Sequence, residues 1–187
     1  KKDMLLPIVQ YGHPILRKVS VDITRDYEGL DKLISDMWDT LYKAEGIGLA
    51  APQIGRNIRL FLVDARCLKE DYPEVADFKR VFLNAHIIER SETQVDSAEG
   101  CLSLPGINET ITRSAWVKVR YTDIETFEEK EEVIKGYCAI VFQHEYDHLD
   151  GKVFTDHLGA LKKRLLKGKL TSISAGKVPT RYRVTLP

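Results

Sequence analysis

The chain has 187 residues, with 28 Lys and Arg against 28 Asp and Glu and 43% apolar side chains. At roughly 100–200 residues per domain this reads as one domain over residues 1–187, long enough to bury a sizeable core. A formal charge of zero argues against sequence-independent binding to nucleic acid or to a membrane surface as the main task, because both need a large basic excess.

In chain order, the opening KKDMLLPIVQ has two lysines but an apolar stretch broken at Pro7, which lacks the core of a signal peptide. From Tyr27 to Glu45, Leu30, Leu33, Ile34, Met37, Leu41 and Ala44 recur at helical spacing. This predicts an amphipathic helix with Thr24 or Asp26 as N-cap and Gly46 as stop. Strands are expected at Ile58–Asp64, Arg80–Glu89, Ala115–Thr122 and Glu128–Ile134, which are rich in Val, Ile, Phe and Tyr. Leu68–Phe78 reads as an acidic surface loop. Tyr137 to Leu149 has Tyr137, Ile140, Val141, His144, His148 and Leu149 on one helical face, with Gly151 placed as a cap glycine. A last helix is expected from Thr155 to Lys167, ended by Gly168, followed by an extended tail with Val178, Tyr182 and Val184. Helices and strands are segregated, so the fold class is α+β. No run approaches the ~18 apolar residues of a membrane span. Three cysteines, an odd number, fit a reducing compartment, and a cytoplasmic setting is expected.

The segment QHEYDHLDG sets His144 and His148 four residues apart on a helix, so both imidazoles can share one metal ion. Glu145 between them stands where a carboxylate can take a proton from metal-bound water. A catalytic metal normally keeps three protein ligands and one open position. The familiar downstream solutions fail: Phe154 occupies the place of a third histidine after Gly151, and no glutamate follows His148. Asp156 and His157 open the next segment, where capping explains them. Upstream, Cys138 reads as a small buried residue and Cys67 lies beside a charged loop. Cys101, in EGCLSLPG between Gly100 and Pro105-Gly106, is either an ordinary buried cysteine or the missing thiolate. A third segment, GIGLAAPQIG from Gly46 to Gly55, is either a helix cap with a tight turn or a loop whose backbone pairs with a peptide. In the second case Gln53 offers an amide to a developing oxyanion.

Together and in this order, GIGLAAPQIG, EGCLSLPG and QHEYDHLDG resemble the three signature motifs of peptide deformylases, over roughly Leu6 to Phe154. The resemblance implies antiparallel strands around a central H-E-x-x-H helix, and removal of the formyl group from N-formylmethionine on new polypeptides. It places the metal ligands on Cys101, His144 and His148, the general base on Glu145, and the oxyanion donors on the Gln53 side chain and the Leu102 N–H. It matches the methionine pocket with Ile47, Tyr137, Ile140, Val141 and the His144 ring, and the peptide-pairing backbone with Gly46–Gly48 and the Leu104–Gly106 region. It further implies one divalent metal ion, commonly ferrous iron, with zinc, nickel or cobalt able to substitute.

A general H-E-x-x-H metallopeptidase, a cysteine-nucleophile hydrolase using Cys101, and a metal-stabilised binding module remain as rival readings. The charge balance hides two unlike parts, since residues 155–187 carry +7 and the first 154 carry −7. Lys162, Lys163, Arg164 and Lys167 are expected opposite Leu158, Leu161 and Leu165 on the last helix, either as a solvated face or as a weak contact with ribosomal RNA.

Overall fold

The structure is a computed structural model that describes residues 4–187; the two leading lysines of the sequence lie outside the described residues. Its organisation follows from one strand. All five residues of Leu60–Asp64 are buried, and successive side chains of a strand point to opposite faces. Phe61 and Val63 therefore enter one apolar cluster, shared with the helix Gly136–Leu149, while Leu60 and Leu62 enter another, shared with the helix Leu30–Lys43. We label these helices α2 and α1. Phe82 and Leu83 in the adjoining strand divide between the same two clusters. On the α2 side Phe142 meets Phe61 and Phe82 edge-on, with ring centroids 5.1 and 4.8 Å apart, a favoured aromatic arrangement.

The strands in chain order are β1 (Ile8–Val9), β2 (Gly48–Ala50), β3 (Leu60–Asp64), β4 (Lys79–Arg90), β5 (Gln94–Cys101), β6 (Leu104–Ser114), β7 (Trp116–Thr122), β8 (Glu129–Lys135) and β9 (Val184–Thr185). Five form an antiparallel sheet in the order β2-β3-β4-β7-β8, and β5 and β6 form a separate hairpin. Helix α2 touches both the sheet and the hairpin. All of its fourteen residues except Gly136, Tyr137 and His144 are buried, so it is an enclosed helix and not an amphipathic surface one. The chain turns after it at Gly151, whose φ is +72° and where a Cβ would come within 2.6 Å of the Arg17 carbonyl oxygen. Among the described residues no helix is long and apolar enough to cross a membrane.

The architecture agrees with the α+β expectation, and four details correct it. Helix α1 starts at Leu30, because Gly29 at φ 75° takes the N-cap place and neither Thr24 nor Asp26 does. Residues 94–114 form a hairpin that polar runs such as NETITRS concealed, with Ile107 and Ile111 buried on one face. The last helix, α3, spans Ala160–Ser174, while Phe154–His157 is a separate 3-10 turn. Gly168 does not end α3. A helical glycine costs about 1 kcal/mol relative to alanine, and the packing of Leu166, Leu170 and Ile173 beyond and around it carries the helix on. Leu161 and Leu165 are 68% and 70% exposed, so they share the solvated face with the basic residues and do not oppose it. The tail ends in β9, which pairs in parallel with β1. The acidic loop lies at the surface as expected, but it is pinned by Val75, which is fully buried.

One buried carboxylate ties α1 to β3. Asp64 accepts the Tyr42 hydroxyl at 2.7 Å and a fork from Arg66 at 2.9 and 2.8 Å. The Arg66 hydrogen bonds hold its carboxyl down to about 2, from an ordinary 3.8. A depressed carboxylate stabilises the fold above its unfolded pKa and loses that contribution as pH falls towards its folded pKa. Urea unfolding of Asp64→Asn beside the parent chain is expected to show a stability gap at pH 6 that narrows from pH 4 to pH 3. A gap independent of pH would remove the ionised carboxylate as its cause.

Candidate metal centre

Helix geometry brings His144 and His148 one turn apart on α2, with ring centroids 5.6 Å apart. Cys101 ends β5 and pairs with Leu104 across the Leu102-Ser103 turn. Its Sγ lies 3.5 Å from His148 Nε2. One ligand atom from each of Cys101, His144 and His148 falls within 4.8 Å of the others. His157 and Asp156 stay outside this group. His157 Nε2 donates to Asp147 Oδ2 at 2.7 Å, and Asp156 Oδ2 accepts the Val153 N–H at 2.9 Å.

The ligands are held by a buried chain of charges. His144 Nδ1 donates to Glu99 Oε1 at 2.7 Å, which leaves Nε2 for the centre. Arg113 grips the Glu99 carboxylate through Nε at 2.6 Å and Nη2 at 2.8 Å, and reaches Asp147 Oδ2 through Nη1 at 2.9 Å. Glu99, Arg113 and Asp147 are each buried. Burial disfavours the charged form of Glu99, yet Arg113 and His144 outweigh it and keep its pKa below the ordinary value. Sequence reasoning gave Glu99 and Arg113 no role; their signal is a pair of opposite charges on the inward face of the β5–β6 hairpin, which the sequence reading does not anticipate.

The chemistry of the donors fits a divalent metal. Burial opposes ionisation of Cys101, but the His148 and His144 imidazoles prevail and hold its thiol down to about 5. Thiolate with two imidazoles is a catalytic donor set that leaves a fourth position open. Glu145 stands beside it, with Oε1 3.9 Å from His144 Nε2 and Oε2 buried without a hydrogen-bond partner. Burial pushes its carboxyl up to about 7. Gly48 is the close neighbour that makes room, since a Cβ there would lie 2.5 Å from Glu145 Oε1.

A cavity of about 450 Å³ opens in front of these groups. Gly46, Ile47, Gly48, Gln53, Leu102, Leu104, Gly106, Tyr137, Ile140 and Val141, all singled out in the sequence, line it with Cys101, His144 and Glu145. His148 is buried behind the wall, at 1% exposure. Gln53 is fixed at both ends of its amide: Oε1 accepts the Ala50 N–H at 2.9 Å, and Nε2 donates to Ser103 Oγ at 3.0 Å and faces Cys101 Sγ at 3.5 Å. Tyr137 stacks on Tyr72 of the acidic loop, with centroids 3.8 Å apart. Tyr182 of the tail also lines the cavity, which its place in an extended tail did not reveal.

An enclosed helix offering two imidazoles, a thiolate from a hairpin end and an unpartnered carboxylate define an α+β hydrolase of the metal-dependent class. Residues 5–164 match the polypeptide deformylase family. A peptide deformylase of Christiangramia forsetii is 43% identical over 98% of this chain and 97% of its own length, and one of Flavobacterium johnsoniae is 45% identical over 97% and 95%. Among solved structures, the peptide deformylase of Plasmodium falciparum superposes with a TM-score of 0.80 at 34% identity, covering 90% of this chain and 95% of that one. The class I type b peptide deformylase of Acinetobacter baumannii with Met-Ala-Ser bound gives 0.77 at 30% identity, covering 84% and 100%. The chain belongs to the polypeptide deformylase family, metal-dependent hydrolases that take the N-formyl group from new polypeptides.

Outer-shell partners of metal-bound histidines are worth roughly 10–100-fold in metal affinity. Glu99→Gln is therefore expected to lose metal to a competing chelator at a correspondingly lower concentration, and Cys101→Ala to lose more. Unchanged metal content in Cys101→Ala would take the thiolate out of the donor set.

Proposed function

We propose that residues 1–187 act as one catalytic domain that hydrolyses the formyl amide of N-formylmethionine at the start of nascent polypeptides. The observation that carries this is the convergence of Cys101, His144 and His148 within 4.8 Å, beside Glu145 in a cavity with apolar walls. A divalent metal held by those three side chains supplies a Lewis acid that brings the pKa of coordinated water towards ~7. We assign ferrous iron to the site, with zinc, nickel or cobalt able to substitute; a thiolate with two imidazoles suits these soft to borderline ions.

The chain's own residues do the rest. Glu145 accepts the proton of the attacking water on its free carboxylate oxygen and returns it to the leaving amine, a step that general acid–base groups accelerate about 10²–10⁴-fold. The Gln53 amide, held rigid by Ala50 and Ser103, and the Leu102 N–H meet the negative charge that develops on the formyl oxygen. Such a preset donor is worth roughly 3–4 kcal/mol in the transition state. Ile47, Tyr137, Ile140, Val141 and the His144 ring receive the methionine side chain. The backbone of Gly46–Gly48 and of Leu104–Gly106 pairs with the extended peptide as an added strand.

The setting is the cytoplasm, and a weak contact with the ribosome runs through the basic C-terminal segment. On α3, Lys162, Lys163, Arg164 and Lys167 share the exposed face with Leu161 and Leu165, a charged surface available to phosphate backbone.

Protein purified without oxygen is expected to deformylate formyl-Met peptides and to leave acetyl-Met peptides nearly untouched; equal rates at internal peptide bonds would turn the reading to a peptidase. Glu145→Ala should keep its metal while turnover falls about 10²–10⁴-fold, and metal loss with turnover retained would remove Glu145 from this role. Reversing the charges of Lys162, Lys163, Arg164 and Lys167 on α3 should weaken co-sedimentation with ribosomes, most at low salt, without changing turnover of a short peptide. Unchanged sedimentation would leave them as surface charge.

A further inference from the structure

The C-terminal tail returns to the catalytic cavity. Its strand β9 pairs in parallel with β1, through Ile8 N–H to Arg183 O and Gln10 N–H to Thr185 O, both 2.9 Å. That pairing sets Tyr182 against the turn between β5 and β6. The Tyr182 hydroxyl donates to the Leu102 carbonyl at 2.6 Å, and Gln10 Nε2 donates to the same oxygen at 3.1 Å. The next carbonyl, that of Ser103, accepts the Tyr11 N–H at 2.9 Å. The turn that carries Leu102 is thus gripped from the β1 segment and from the tail, and the Tyr182 ring forms part of the cavity wall.

We propose that Tyr182 makes the tail a working part of the deformylase site: its hydroxyl is a positioning group for the Leu102 turn, and its ring is a wall for the peptide beyond methionine. The inference rests on the hydrolase reading given above. Leu102 supplies a donor to the developing oxyanion there, and a donor displaced by a fraction of an ångström loses transition-state stabilisation while leaving substrate binding intact. The hydroxyl and the ring therefore have separable effects. The methionine pocket is built from α2 and Ile47, so a side chain arriving beside Leu102 is left to meet later residues. Burial, with Cys101 nearby, pushes the phenol up to about 12, so it remains a donor across the working range. Across the rim Arg181 Nη1 lies 3.6 Å from Glu45 Oε2, with both side chains largely exposed.

The test compares metal-loaded wild type, Tyr182→Phe and Tyr182→Ala on formyl-Met-Ala-Ser. It adds calorimetric titration with Met-Ala-Ser and a thermal melt of each protein. Tyr182→Phe is expected to lower kcat about three- to tenfold with KM and Met-Ala-Ser affinity within twofold of wild type, in keeping with a partly displaced oxyanion donor. Tyr182→Ala should add a rise of about fivefold or more in KM and in the Kd for Met-Ala-Ser, as loss of a stacking wall demands. Wild-type kcat in Tyr182→Phe overturns the positioning role. Unchanged Met-Ala-Ser affinity in Tyr182→Ala, with only a lower melting temperature, overturns the wall and leaves a structural strut. Should wild type itself leave formyl-Met-Ala-Ser intact, the hydrolase reading and the positioning role fail together, while the titration arm still decides the wall.

Discussion

Arg113 is the interaction on which the site depends. It is buried, it is forked onto Glu99, and through its third nitrogen it holds Asp147. Glu99 lies on β5 and Asp147 on α2, so the guanidinium on β6 joins the hairpin that supplies Cys101 to the helix that supplies both histidines. Removing one member of a buried ion pair costs about 3–5 kcal/mol, because its partner is left charged and dry. Here the same removal would also loosen a connection that sets the thiolate against the imidazoles, beside the direct His144–Glu99 hydrogen bond.

That constraint explains why α2 is so polar for a helix enclosed on nearly every side. Buried charges persist only when paired and hydrogen-bonded, and Asp147, His144 and Gln143 each have a partner: Arg113, Glu99 and the Ser114 carbonyl respectively. Glu145 and His148 differ, with Glu145 Oε2 and His148 Nδ1 both buried without a partner. A buried acceptor unpartnered within the protein is a stability cost that a catalytic group can justify, since it is what a proton has to be delivered to. Gly48 belongs to the same economy of space. Any larger residue would press on Glu145.

Much of this was legible in the sequence because it is local. The histidine spacing and the helix that carries it follow from a periodicity of 3.6, and the β3 and β4 strands from runs rich in β-branched and aromatic residues. The three motifs, with Tyr137, Ile140 and Val141 of α2, name most of the residues that line the cavity. What escaped was long-range or carried by polar strands. Residues 94–114 have only Leu104, Ile107 and Ile111 as deeply buried apolar side chains, so the hairpin does not announce itself, and with it the roles of Glu99 and Arg113 stayed hidden. The end of α3 was misread for a different reason. Gly168 is a sound stop signal by propensity, but Leu170 and Ile173 bury beyond it and tertiary packing prevails over about 1 kcal/mol.

The net charge of zero acquires a spatial meaning in the fold. The basic excess after residue 155 rides mainly on α3, whose exposed lysines do not line the catalytic cavity. The chain beyond α3 then comes back through Tyr182 and β9 to the turn beside the metal ligands. One C-terminal segment thus presents charge outward and a phenol inward. Because Ser174 Oγ donates to the Tyr11 carbonyl and Tyr11 N–H reaches Ser103, a short covalent and hydrogen-bonded route runs from the basic helix to the Leu102 turn. A partner held on the outer face of α3 would therefore sit on an element joined to the Leu102 turn through Ser174 and Tyr11, although no residue of α3 itself lines the cavity.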